Sequence, residues 1–346
     1  MNRRGALQFL QSALVVSSAT WVASPVFAAK KVDKRPIALL VPLTGEHAAL
    51  GLSMRNAAML AENNPSRLLV LDTAGTAAGA TAAALSARKQ KAAIILGPLT
   101  QFEARAVASA VPADLPVIAF TNDPAIRSTG AFVFGITAGS VTSAVLRYAR
   151  SRGVRKVAVI SDGTPWAVLS AAAAQASQGE LGIDVRTIEV RPGQPVPAAG
   201  DAPDAILVPG GGETVLAASR NLQTTGIQLL ATVQGLDHRP ASLEALDGAW
   251  IAAPDPESFG DFATTFTARN GGSPGAIAAL AHDAILVAEQ LRAKDMLNRN
   301  GLLAEPSFDC ITGPLRFRTD GSVARDMAIL VAHPAGYEKV ATSQGA

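Results

Sequence analysis

The sequence predicts an α/β protein of two similar lobes, each a parallel sheet flanked by helices. Three observations carry this. Short runs rich in Val, Ile and Leu alternate with Ala-rich segments at helical spacing, the pattern of successive βαβ units. The runs show no alternation of apolar and polar residues, as expected of strands covered on both faces. The series then starts again near residue 136, where the run at residues 156–161 opens a second block as residues 35–41 opened the first. With 346 residues and 49% hydrophobic content, the chain can fill two domains with a large buried core.

In the first block, strands are expected at residues 37–41, 68–71, 93–96 and 117–120, with a short one at 131–134. The second block adds residues 157–160, 185–188, 205–208 and 229–231. Helices fall between them, at residues 50–62, 80–89, 103–110 and 141–152; the first places Leu50, Met54, Ala57, Ala58 and Ala61 on one face. After Ala253 two helical segments and a Gly-containing ribbon remain, too little for a third domain. They are expected to complete the lobes, which requires several crossings. Residues 35–135 with about 256–312 form the first lobe, and 136–255 with about 325–340 the second.

The chain opens with Arg3 and Arg4, a largely apolar stretch from Ala6 to Ala23 and the small-residue sequence Val26-Phe27-Ala28. This follows the recipe of an export signal, residues 1–28, removed after Ala28. The basic pair fits either the general or the twin-arginine route. Gln8, Gln11 and Ser12 interrupt the stretch, so it does not read as a membrane span. No cysteine lies near the cleavage point to carry a lipid, and a soluble periplasmic protein is expected. Cys310 is the only cysteine, so stability must come from packing and not from a disulfide. The formal charge of +2 includes Arg3 and Arg4, which leaves the processed chain nearly neutral. Nothing in that balance points to nucleic acid or an anionic membrane surface.

Polar residues cluster where each strand should end. They are Thr44 and Glu46, Asp72 and Thr73, Thr100 and Gln101, then Thr121, Asn122 and Asp123 in the first block. The second block has Ser161 to Thr164, the Gly210-Gly211-Gly212-Glu213 loop, and Gln234 to Asp237. In an open parallel sheet, ligands bind outside the carboxyl ends of the strands, beside helix N-termini. Thr44, Thr100, Asp123 and Thr164 equally stand where helix N-caps belong, and a cap needs no ligand. Both readings stay open at each position.

Enzymatic motifs are absent. The Gly210–Gly212 loop lacks the Gly-Lys-Ser/Thr ending of a phosphate-binding loop, no Gly-x-Gly-x-x-Gly follows the first strand, and there is no Gly-x-Ser-x-Gly elbow. His47, His238, His282 and His333 are scattered, with no metal-ligand spacing. His282 and Asp283 lie in an Ala-rich amphipathic helix, where packing or surface roles are expected.

The stretches PIALLVPLTGEHAALGLSMRNAAMLAEN from Pro36, AAIILGPLT from Ala92, LPVIAFTND from Leu115, YARSRGVRKVAVISDGTPWA from Tyr148 and GPLRFRTDG from Gly313 carry a family resemblance. In this order they resemble the type I periplasmic binding protein fold, and within it the leucine-binding-protein family. The resemblance implies two Rossmann-like lobes joined by three crossovers, closing over a small molecule, commonly as the receptor of an ABC importer. Carried across by position, Thr100, Gln101, Thr121 and Asn122 would hold an amino acid's carboxylate and amine. Trp166 would be the second lobe's aromatic, and Gln234 or Asp237 its acid or amide. Family members that bind amino acids carry small hydroxyl residues where this chain has Thr100-Gln101-Phe102, so Gln101 and Phe102 are expected to crowd that subsite.

The stretch GAFVFGITAGSVTSAVLRYARSRG from Gly130 is also similar to the ligand-binding-like domain of penicillin-binding-protein activators, which implies a module contacting a peptidoglycan synthase. The expectation is therefore a non-enzymatic binding protein without cofactor or metal. It closes around a small polar ligand, an amino acid being one candidate, and hands it to an ABC permease. The alternative is the cell-wall interaction module. Ligand residues are expected among Thr44, Thr100, Gln101, Thr121, Asn122, Asp123, Trp166, Gln234 and Asp237. A transport receptor needs convergent polar groups in its cleft, whereas an interaction module can fill it with Phe102 and Phe120.

Overall fold

The structure, a computed structural model, describes residues 33–62, 64–191, 202–222 and 225–344; the expected export signal lies outside them. The chain begins with β1 (Ile37–Val41), α1 (Ala48–Ala61), β2 (Leu68–Asp72), α2 (Ala77–Lys89), β3 (Ile94–Leu96), α3 (Gln101–Ala110), β4 (Val117–Ala119) and β5 (Phe132–Val133). These strands form one all-parallel sheet in the order β2-β1-β3-β4-β5. Its two faces are covered separately. Ile37, Leu39 and Val41 pack into one core with Met54 and Ala58 of α1, while Ala38 and Leu40 face the alanines of α2 and Val107 of α3. That double coverage is why β1 is apolar at every position.

Helix α1 corrects one expectation. Its buried face is Gly51, Met54, Ala57, Ala58 and Ala61, and Leu50 is exposed. A Cβ at position 51 would lie 1.9 Å from the Pro42 carbonyl oxygen, so a residue without a side chain takes the contact. The helix turns Leu50 outward as a result.

After a crossing at residues 134–137 the chain continues through α4 (Ala138–Ser151), β6 (Lys156–Ser161), α5 (Pro165–Ala176), α6 (Gln178–Leu181), β7 (Asp184–Glu189), β8 (Ala205–Val208), α7 (Glu213–Leu222), β9 (Gln228–Thr232), α8 (Pro240–Ala245) and β10 (Trp250–Ala253). A second crossing leads to α9 (Pro256–Asn270), α10 (Ala276–Ala293), α11 (Arg299–Ala304) and the ribbon β11 (Leu315–Phe317) with β12 (Val323–Arg325). A third crossing delivers β13 (Met327–His333) and β14 (Gly336–Ser343). The second sheet has the order β14-β13-β10-β9-β8-β6-β7, parallel from β7 to β10 and antiparallel at β13 and β14.

The late helices return to the first lobe. Helix α10 packs along α1 and contributes Leu280, Ile285 and Leu291 to the first core, joined there by Leu315 and Phe317 of the ribbon. The Phe317 ring stands edge-on to Phe132 at 5.1 Å.

The crossings are tied together by one buried cluster. Asp283 of α10 is fully buried; its carboxylate accepts from the backbone N–H of Ile311 at 2.8 Å and of Thr312 at 3.1 Å, and from the Thr312 hydroxyl. Arg325, at the start of the third crossing, lies 3.7 Å from Asp283 and donates to the Thr312 hydroxyl and, at 3.0 Å, to the Phe134 carbonyl in the first crossing. Burial pulls the Arg325 guanidinium down from its ordinary range, and the Asp283 carboxylate opposes that pull. Gly313 completes the joint: its φ is +113° and a Cβ there would lie 2.1 Å from the Asp326 carbonyl.

Removing one partner of such a pair leaves an uncompensated buried charge. Asp283→Ala is therefore expected to lose about 3–5 kcal/mol of unfolding free energy in urea titration, and the double variant Asp283→Leu with Arg325→Met to recover part of that loss.

Candidate functional site

The carboxyl ends of strands from both sheets open onto a shared cavity of about 490 Å³. The first lobe supplies Leu99 to Gln101 beyond β3, Phe120 to Asp123 beyond β4, and Ala276, Ile277 and Leu280 from the start of α10. Gly135 and Ile136 come from the first crossing, Trp166 from α5, and Val233 and Gln234 from the turn after β9. A second cavity of about 520 Å³ adjoins it, sharing Gln101, Asn122, Asp123 and Trp166 and adding Ala138, Thr164, Pro165 and Leu169.

Some of these groups are already committed. The Thr100 hydroxyl and backbone N–H both donate to the Glu103 carboxylate, at 2.8 and 2.9 Å, and the hydroxyl accepts from the Glu103 N–H. This reciprocal capping box fixes the start of α3 and consumes the Thr100 donor. Thr121 is buried, and its hydroxyl oxygen accepts from the Asp123 N–H at 3.2 Å, leaving its own O–H to donate. Asp123 caps the short 3-10 turn Pro124–Thr129 by accepting from Ala125 at 2.9 Å. Gly135 lets the first crossing pass the end of β4, since a Cβ there would come within 2.6 Å of the Phe120 and Thr121 carbonyls.

The second lobe's wall is organised by Thr232, the fully buried last residue of β9. Its hydroxyl donates to the Pro209 carbonyl at 2.6 Å and accepts from Trp166 Nε1 at 3.2 Å and from the Gln234 N–H at 3.3 Å. Gly211 brackets the same turn, where a Cβ would lie 1.9 Å from the Gln234 carbonyl. Trp166 thus presents an immobilised ring whose only donor is spent inside the protein.

What remains free is chemically uniform. Among the described residues the side-chain amides of Gln101, Asn122 and Gln234 have no protein partner, and they converge on a cavity otherwise lined by Leu99, Phe120, Ile136, Trp166, Ile277 and Leu280. No Lys, Arg or His lines either cavity, and Asp123 is the one ionisable group in both. The arrangement can hydrogen-bond amides, hydroxyls or an amine over an apolar floor.

Thr44 and Asp237 lie apart from the cavity. Thr44 is not a helix cap: α1 begins at Ala48 behind His47, which makes no capping bond, and the Thr44 hydroxyl donates instead to Asp72 at 2.7 Å. Asp237 accepts from Arg239 at 2.5 Å and from Ser242 at 2.7 Å, and the Arg239 hydrogen bonds hold its carboxyl well below the usual carboxylate range. Thr164 caps α5 through the Ala167 N–H and lines only the adjoining cavity.

Phe102 does not crowd the site. It is 70% exposed and absent from the lining, because the α3 capping box turns Gln101 toward the cavity and the next residue outward. Phe120 does reach the cavity, but is 2% exposed and held edge-on to Phe134 at 6.4 Å. Thr232, Gly135 and the start of α10 are not marked by the sequence, whereas Gly211 lies in the glycine loop expected at a strand end. The one available signal was a threonine closing an apolar strand.

Burial pushes the Cys310 thiol well above the ordinary range, which disfavours the reactive thiolate form. Among the described residues, no three or more His, Cys, Asp or Glu side chains are grouped to hold a metal, and no helix is long and apolar enough to cross a membrane.

A family model described as periplasmic binding protein matches residues 35–336. The chain belongs to that family. No curated protein matches this periplasmic binding protein in a sequence search. Solved structures share its fold. A protein assigned to branched-chain amino acid ABC transport from Rhodospirillum rubrum aligns with a TM-score of 0.74 at 20% identity, covering 88% of this chain and 100% of the other. The LpoA C-domain from Haemophilus influenzae, a regulator of PBP1A, gives 0.71 at 16% identity over 88% and 100%. A solute-binding protein from R. palustris in complex with benzoate gives 0.57 at 16% identity over 91% and 98%. At these identities the likeness is one of fold.

Replacing Thr232 by the near-isosteric Val leaves the buried Pro209 carbonyl and Trp166 N–H without their partner. Thr232→Val is expected to lower stability by about 1–3 kcal/mol in urea titration.

Proposed function

We propose that this periplasmic binding protein is an exported, non-enzymatic receptor that closes its two lobes around a small polar solute and delivers it to an ABC permease. The observation that carries the reading is the convergence of unpaired amides from both lobes, Gln101 and Asn122 facing Gln234, on one cavity beside an immobilised Trp166. Each lobe then supplies part of the hydrogen bonding, so only the closed form satisfies the ligand and binding shifts the open-to-closed population. Thr121 adds a donor beside Asn122, Asp123 the single charge, and Thr100 acts by holding α3 in place. No Lys, Arg or His lines these two cavities, so Asp123 is the group there that can pair with a charged solute. The benzoate complex and the branched-chain amino acid assignment of its structural neighbours fit solutes of this size.

The second reading, an interaction module for a peptidoglycan synthase, is supported by the LpoA fold match and by Phe102, a large apolar side chain exposed at the start of α3. A thermal-shift screen of the protein against amino acids, aromatic acids, amides and muropeptides separates the two. A solute at about a hundred times its Kd adds about 2.7 kcal/mol of stability. Asn122→Ala and Gln234→Ala are each expected to weaken that solute about three- to tenfold without changing the melting temperature of the free protein. No shift across the screen, together with capture of a peptidoglycan synthase that Phe102→Ala abolishes, would replace transport with the interaction module.

A further inference from the structure

The cavity at the strand ends does not stop at Trp166. The adjoining cavity shares Ala138 and Leu169 with a third of about 430 Å³, so the three form one trough between the lobes. One wall follows α5, from Trp166 past Leu169 and Ala173 to Ser177, which flanks the helix at its far end. The opposite wall runs in the same sense through Asn122, Asp123, Pro124 and Arg127. The eleven steps from Trp166 to Ser177, at about 1.5 Å rise each, give a trough about 16 Å long. A free amino acid fills less than half of that, whereas an extended chain at about 3.4 Å per residue fills it with four to five residues.

The charges along the trough are separated. In the far cavity Arg127 pairs with Asp320 at 2.7 Å, and Glu180 pairs with Arg147 at 2.7 Å, so those four groups cancel. Arg318 also lines this cavity, half-buried, and its guanidinium has no partner among the described residues. At the other end the only charge is Asp123. Asp123 thus lies with the free amides in the two cavities at the strand ends, Ala138 stands where the second and third cavities meet, and Arg318, beside Gly139 and Ala173, is the cation of the third without a partner among the described residues.

We propose that the solute is a short peptide of about three to five residues, lying extended with its amino end by Asp123, Asn122 and Gln101 and its carboxylate on Arg318. Backbone amides of such a chain match the free side-chain amides, and the small residues of the middle section leave width for side chains. This inference rests on the solute-binding reading and assigns that site its ligand class.

The test uses the full-length protein and native mass spectrometry with three probes: a randomised tetrapeptide library with free carboxyl termini, the same library with carboxamide termini, and a panel of free amino acids with benzoate. Selective retention of free-carboxyl tetrapeptides is expected. Arg318→Gln should weaken that retention about tenfold, to the level of the carboxamide library, with an unchanged melting temperature because Arg318 has no protein partner. Tight binding of a single amino acid or benzoate, unaffected by Arg318→Gln, would overturn the peptide assignment and leave the receptor reading standing. Retention of nothing from any probe would overturn both.

Discussion

The molecule depends on how a buried arginine is kept charged at the joint between its lobes. Arg325 is almost fully buried, and Asp283, the Thr312 hydroxyl and the Phe134 carbonyl meet its guanidinium there. Those partners come from α10, from the segment before the ribbon and from the first crossing. Each is therefore held at a fixed distance from the others. A hydrophobic joint of equal volume could be as stable, but it would lack direction. The charged one specifies which carbonyl and which helix must be present at the joint.

The cavity inherits that geometry. Gly135 and Ile136 follow Phe134 directly, so the segment bound by Arg325 is also the cavity's floor. The first lobe brings its amides on strand ends braced by the Thr100–Glu103 capping box and by Asp123. The second brings Trp166 and Gln234 on a scaffold whose common anchor is one hydroxyl, that of Thr232. Capping and lining the cavity are thus divided between residues: Thr100 and Thr164 hold helices, while the amides of Gln101 and Asn122 have no protein partner among the described residues.

Much of this was legible in the sequence because its causes are local or periodic. Strands covered on both faces must be continuously apolar, and polar residues collected at their ends mark the sheet edge where a cavity forms. What escaped has non-local causes. Thr44 reads as a cap from its neighbours, yet its partner is Asp72, 28 residues later. Strand β10 is a Trp-Ile-Ala-Ala run that becomes a strand through pairing with β9 and β13. Asp283 and Arg325 lie 42 residues apart, and nothing within either segment announces the other. Phe102 looked obstructive because adjacency in sequence was taken for adjacency in space, whereas successive helical positions point about 100° apart.

The pinned indole has an optical consequence. Of the three tryptophans in the chain, Trp21 falls in the expected leader, and Trp250 is half-buried, edge-on to Tyr148 at 5.0 Å within the second lobe. Among the described residues, Trp166 is the tryptophan that borders the cavity. Because Thr232 fixes its ring, a change in its light emission on adding a compound reports what surrounds the ring and not a swing of the ring itself. The indole of Trp166 is thus placed to report on the cavity it lines.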